Sequence, residues 1–89
     1  LAFFHSNTCD SCKEMMAVVE EVYPEFAGSV GLVDVDAYDA RNAGLLRSIG
    51  IRAIPTVVFF DRTGAGKMQI GGMPAADLRQ VLSELQQGG

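Results

Sequence analysis

The stretch Phe3-Phe4-His5-Ser6-Asn7-Thr8-Cys9-Asp10-Ser11-Cys12-Lys13-Glu14 decides how the remaining residues are read. An apolar run ends in a polar turn, and two cysteines follow three positions apart as a helical pattern begins. The sequence contains no other cysteine. Residues i and i+3 of a first helical turn lie on one face, so two sulfurs so placed reach bonding distance with little backbone movement. A helix N-terminus presents unpaired N–H groups and the positive end of the helix dipole, which favours thiolate at Cys9. A disulfide closing so short a loop adds only roughly 2 kcal/mol to stability. The pair is therefore placed for redox chemistry rather than for stapling.

The composition agrees with a scaffold for such a pair. Eighty-nine residues suffice for one small core, so a single domain over residues 1–89 is expected. With 48% hydrophobic and 20% charged residues, neither disorder nor a membrane span within this segment is expected. A formal net charge of −4 and a pI near 4.7 argue against nucleic acid as a partner. Arg41, Arg47, Arg52, Arg62 and Arg79 are scattered singly and form no basic stripe.

Outward from the cysteines, the periodicities alternate. Leu1 to His5 reads as a buried strand. Cys12, Met15, Met16, Val19, Val22, Tyr23 and Phe26 recur at helical spacing, with Asn7 or Thr8 as the N-cap, or Ser11 with Glu14 as a capping box. Pro24 should break this helix near Tyr23. Val30 to Asp36 reads as a second strand. A helix capped by Asp39 should run to about Ser48, and Gly50 should stop it. Thr56 to Phe60 is the most β-prone segment. A turn at Asp61 to Gly66 and a return strand from Lys67 to Ile70 follow, closed by Gly71-Gly72. Pro74 suits the first position of a last helix that buries Leu78, Val81, Leu82 and Leu85, and residues 86–89 should fray. The order β-α-β-α-β-β-α implies an α/β fold: a four-stranded mixed sheet flanked by helices, its first crossover right-handed. The cysteine turn then lies at the carboxyl end of the first strand, where open α/β sheets place their sites.

On two motifs the chain resembles the thioredoxin superfamily. These are Cys9-Asp10-Ser11-Cys12 (a CxxC motif) after an apolar strand, and Gly50-Ile51-Arg52-Ala53-Ile54-Pro55-Thr56 some forty residues later, with Gly71 ahead of the last helix. The resemblance implies the thioredoxin fold in a minimal form, without the family's N-terminal strand and helix. It also implies an enzyme, a protein disulfide oxidoreductase serving cell redox homeostasis. In that role Cys9 is the attacking thiol and Cys12 the resolving one. Ile54-Pro55 would be a cis peptide bond beside the dithiol, with Ile54 pairing its backbone to extended substrates. Gly71, Gly72 and Met73 would line the same groove. No cofactor is implied. The expected partners are protein disulfide or dithiol substrates and a redox partner protein, and the expected state is a monomer.

The departures from thioredoxin proper bear on tuning. Thr8-Cys9-Asp10-Ser11-Cys12 stands where thioredoxin has Trp-Cys-Gly-Pro-Cys. Phe3 stands where thioredoxin has a buried Asp that serves proton transfer, Leu32 stands for its partner Lys, and His5 stands for a Trp. Asp10 should oppose the Cys9 thiolate, and Lys13 should offset it in part. The Asp10-Ser11 dipeptide helps set the potential within the roughly −270 to −120 mV that such proteins span. His5 reads either as a half-buried filler of the aromatic slot or as a proton acceptor or positive neighbour of the cysteines. Asp34 and Asp36 read as solvated strand-end carboxylates and helix caps, with Asp34 the best substitute for the missing buried acid.

The alternative function is a binding or metal-carrier module without turnover. Tetrahedral zinc wants four ligands, and Cys9, Cys12 and His5 supply at most three, so no metal site is expected. The active-site sequence resembles those of specialised, tethered members of the superfamily, and that resemblance slightly favours the bacterial cell envelope over the cytoplasm as its place of work.

Overall fold

A computed structural model describes residues 1–87 of the chain. Strand β1 spans Ala2–His5, β2 Val33–Asp36, β3 Thr56–Phe60 and β4 Gly66–Ile70. Helix α1 spans Asp10–Val22, α2 Ala43–Ile49 and α3 Ala75–Gln86. The sheet runs β2-β1-β3-β4, with β1 and β2 parallel and the other two pairings antiparallel. This is the four-stranded mixed sheet flanked by helices that the element order leads one to expect. No helix among the described residues is long and apolar enough to cross a membrane.

Alternation along β1 and β3 sorts the core into two layers. Leu1, Phe3, Val57 and Phe59 meet Met15, Val19 and Val22 of α1 and Leu78 and Leu82 of α3 on one face. Ala2, Phe4, Val35 and Val58 meet Leu46 and Ile49 of α2 on the other. Burying each of these large side chains contributes about 1.5–3 kcal/mol, so both faces of β1 are committed and its register is fixed. Val81 and Leu85, expected in the buried stripe of α3, pack only partly buried at its edge.

Several boundaries shift from the sequence-based expectation. β2 begins at Val33 instead of Val30. The backbone of Val30 is used by the preceding loop, its N–H donating to Phe26 O and its carbonyl accepting Tyr23 Oη at 2.6 Å. The helix expected from Asp39 is divided. Asp39 caps a 3₁₀ turn at Ala40–Asn42, and α2 proper begins at Ala43. Gly50 ends α2 with φ 87°, a left-handed conformation that glycine adopts without steric cost. Pro24 sits in a 3₁₀ turn, Tyr23–Glu25, directly after α1. Pro74 is the N-cap of α3 rather than its first helical residue. Of the expected frayed end, Gln86 is helical and Gln87 is the C-cap, while positions 88–89 lie outside the described residues.

α2 is only seven residues long and leaves part of its face of the sheet open. Met68 pairs with Val58 and Ile70 with Thr56, so both share that face, and with Phe60 they remain exposed.

Candidate functional site

The carboxyl end of β1 gathers residues from four parts of the sequence. β3 runs antiparallel to β1, so Thr56 lies opposite Phe4 and places Ile54-Pro55 at that end. Ile70 lies opposite Thr56, which brings the Gly71-Gly72-Met73 turn to the same edge. The Gly71 N–H donates to Pro55 O at 2.8 Å and ties the two segments together. Gly71 has φ 84°, again in the left-handed region. The Ile54–Pro55 peptide bond is cis. Pro55 is buried, Ile54 is half-buried against the second core layer, and Met73 packs partly buried against the first.

Between β1 and α1 the chain makes a tight turn. Thr8 N–H donates to Ser6 Oγ at 3.3 Å, and Cys9 N–H reaches Ser6 O at 3.4 Å. The N-cap of α1 is Cys9 itself, which corrects the expectation of Asn7, Thr8 or Ser11. Its backbone is extended (φ −102°, ψ 115°), and its sulfur accepts the Cys12 N–H at 3.2 Å. The polar turn residues are spent otherwise: the Ser6 and Thr8 hydroxyls bond each other at 3.1 Å, and Asn7 faces solvent. Asp10 is the first helical residue and is exposed, as are Ser11 and Lys13.

The two thiols occupy different environments. Both are free; Cys9 is half-exposed and Cys12 is fully buried. Burial, followed by the hydrogen bond to Cys9, pushes the Cys12 thiol up to about 11, while the backbone N–H of Ser6 acts in the opposite direction. An accessible sulfur at a helix N-terminus, with a protonated one held beneath it, is the arrangement that stepwise thiol–disulfide exchange needs.

His5 is buried at the end of β1 and stacks on Phe3, with ring centroids 4.8 Å apart. Its Nε2 pairs with Asp34 Oδ1 on the neighbouring strand, and its Nδ1 is buried without a partner. Asp34 is exposed but is not a merely solvated carboxylate, whereas Asp36 caps no helix and instead holds the turn after β2, accepting Tyr38 N–H at 2.9 Å. His5 thus turns toward Asp34, and among the described residues no three His, Cys, Asp or Glu side chains converge as metal ligands would.

One part of the site went unread in the sequence. A cavity of about 360 Å³ lies between α1 and the loop before α3, with Glu14, Val18 and Pro74 in its wall beside Ser11, Met15, Gly72 and Met73. The spacing of Ser11, Glu14, Met15 and Val18 places them on one helix stripe, which was the available signal.

Comparison with known proteins gives a consistent answer. The family described as thioredoxin-like domain matches residues 1–86. The chain is 30% identical over 81 residues to a thioredoxin of Haemophilus influenzae, covering 91% of this chain and 74% of that protein. Among solved structures it resembles chloroplastic thioredoxin z, with TM-score 0.81 and 25% identity, over 98% of this chain and 77% of the other. It also resembles the thioredoxin of Malassezia sympodialis, with TM-score 0.76 and 28% identity, over 96% and 72%. The chain thus spans about three quarters of each of these proteins.

Proposed function

Because this chain belongs to the thioredoxin-like family of thiol–disulfide oxidoreductases, we propose that Cys9 and Cys12 are its redox pair and that its substrates are disulfides of other proteins. The observation that carries this reading is the asymmetry of the two sulfurs, one half-exposed at the start of α1 and the other fully buried three residues on. In the first step the Cys9 thiolate attacks a substrate disulfide. A mixed disulfide forms and one substrate thiolate leaves, taking up a proton. In the second step Cys12 loses its proton and attacks the Cys9 sulfur. The second substrate thiol is released, and the Cys9–Cys12 bond retains the oxidising equivalent, for two electrons and two protons in all. The reverse sequence oxidises a dithiol by the same route.

The second step needs an acceptor for the Cys12 proton, and Phe3 cannot serve. We assign that task to His5. A carboxylate at Nε2 favours the tautomer with its proton on that nitrogen, which leaves the buried Nδ1 with a free lone pair. Ser6, the next residue along, is the one whose backbone favours the Cys12 thiolate. Asp10, Ser11 and Lys13 surround the entrance and tune the potential. Ile54, Pro55, Gly71, Gly72 and Met73 form the groove that receives an extended substrate.

The direct test is reduction of insulin disulfides. Substituting Cys9→Ser should abolish it while circular dichroism stays unchanged; a variant that keeps its activity refutes the mechanism.

A further inference from the structure

The cavity between α1 and the loop before α3 has a lining that selects for a particular chemistry. On the α1 side, Ser11, Glu14, Met15 and Val18 follow one another at helical spacing. Met73 faces them from the loop before α3. Ser11 lies between the two cysteines in sequence, so the cavity reaches the first turn of α1, and neither cysteine is in its lining. Its volume of about 360 Å³ is at the small end of the roughly 300–1,000 Å³ usual for ligand pockets. Met15 is buried and Val18 and Met73 are half-buried, so these three give the wall an apolar part, and methionine repacks easily around an incoming chain.

Glu14 supplies the only charge in that lining. It is exposed, and no salt bridge among the described residues uses it. Its neighbour one helical turn back is Asp10, so two carboxylates at i and i+4 repel each other at this corner. A cation placed there relieves the repulsion. A side chain with a long aliphatic stem and a cationic head satisfies both halves of the cavity, because such chains lay the stem on apolar surface and keep the head in water.

Building on the oxidoreductase reading above, we propose that this cavity is a specificity subsite for a lysine or arginine side chain near the substrate's reactive cysteine. The stem rests on Met15, Val18 and Met73, and the cation pairs with Glu14. Substrates with basic residues flanking the disulfide are then exchanged faster than neutral or acidic ones.

The test uses synthetic disulfide peptides that differ only in the residues flanking one cysteine, which are lysine, norleucine or glutamate. At low salt, kcat/KM for the lysine peptide should exceed that for norleucine by about three- to five-fold, as expected for a partly exposed ion pair, and glutamate should be slowest. High salt should erase the preference. Glu14→Gln should remove it and Glu14→Lys should invert it. Glu20→Gln, which changes net charge equally on an exposed part of the same helix, should leave it intact. Equal rates for all three peptides overturn the subsite and leave the oxidoreductase reading standing. Loss of the preference in Glu20→Gln, or its loss in Asp10→Asn with retention in Glu14→Gln, also overturns the subsite. Failure to exchange any peptide overturns both.

Discussion

His5 and Asp34 join β1 to β2 through their side chains although the backbone register assigns each a different partner, His5 lying opposite Asp36 and Asp34 opposite Phe3. The diagonal contact is possible because residues two apart on a strand share a face. It leaves one imidazole nitrogen in water-excluded surroundings with nothing to bond.

An unpaired buried polar atom of this kind costs stability, about 1–3 kcal/mol. His5→Phe keeps the stacking on Phe3, removes the unpaired nitrogen and leaves an exposed Asp34 to water. The variant should be more stable by about 1 kcal/mol in denaturant titration. If His5 takes the Cys12 proton, the same variant should release its mixed disulfide about 10- to 100-fold more slowly. Its release rate should also depend differently on pH. A stable variant with unchanged release and an unchanged pH profile removes His5 from the mechanism.

The unequal burial of the thiols predicts unequal labelling. At neutral pH iodoacetamide should modify Cys9 alone in the folded, reduced protein. Cys12, with its thiol at about 11, should react ~100-fold or more slowly than an ordinary cysteine. Peptide mapping after a timed quench reads both rates. Matched rates contradict the burial described here.

The same group makes the reduced protein sensitive to alkali. Cys12 ionises near 9.0 when unfolded and near 11 when folded, so the native state holds its proton more tightly. The resulting stabilisation is complete below about pH 9 and is lost as pH rises through about 11, a decline of roughly 2–3 kcal/mol. Comparing reduced wild type with Cys12→Ser in urea across this range isolates the effect, since the serine variant should lack this part of the decline.

Gly71 and Gly72 offer a matched pair. An alanine at Gly71 must adopt φ 84°, which costs about 1–2 kcal/mol, and shifts the N–H that holds Pro55. Gly72 has no left-handed φ, and a Cβ there meets nothing within 4 Å. Gly71→Ala should therefore lower both thermal stability and exchange rate, while Gly72→Ala should change stability by less than about 0.5 kcal/mol. Equal effects at both positions would show that the Gly71–Pro55 link does not organise this edge.

What the sequence made legible was whatever periodicity or a single residue type controls. The alternation of Phe3 and Phe4, the helical recurrence of Cys12, Met15, Val19 and Val22, and the stop at Gly50 each follow from local geometry. So does the convergence of Cys9, Pro55 and Gly71, once the order of elements sets which strands adjoin. Less legible were features decided by competition between neighbours. Asn7 and Thr8 are ordinary caps, yet Ser6 takes the Thr8 N–H and the extended backbone of Cys9 puts a sulfur in the capping position. The direction of His5 depends on strand register, which no local pattern reveals, and so its pairing with Asp34 was not foreseeable. Glu14, which the sequence offers as half of a capping box, is exposed, and the loop across from it makes that exposure a wall of a cavity.

The cap formed by Cys9 links chemistry to backbone order. The sulfur proposed to attack a substrate is also the acceptor for the Cys12 N–H, so a change in its bonding reaches the first turn of α1 directly. A sulfur engaged in a disulfide is a poorer acceptor than a thiolate, and the helix start loses part of its cap whenever Cys9 is oxidised. The amide proton of Cys12 should accordingly exchange with solvent more readily in the oxidised protein than in the reduced one. A single backbone position thereby reports how many electrons the molecule carries.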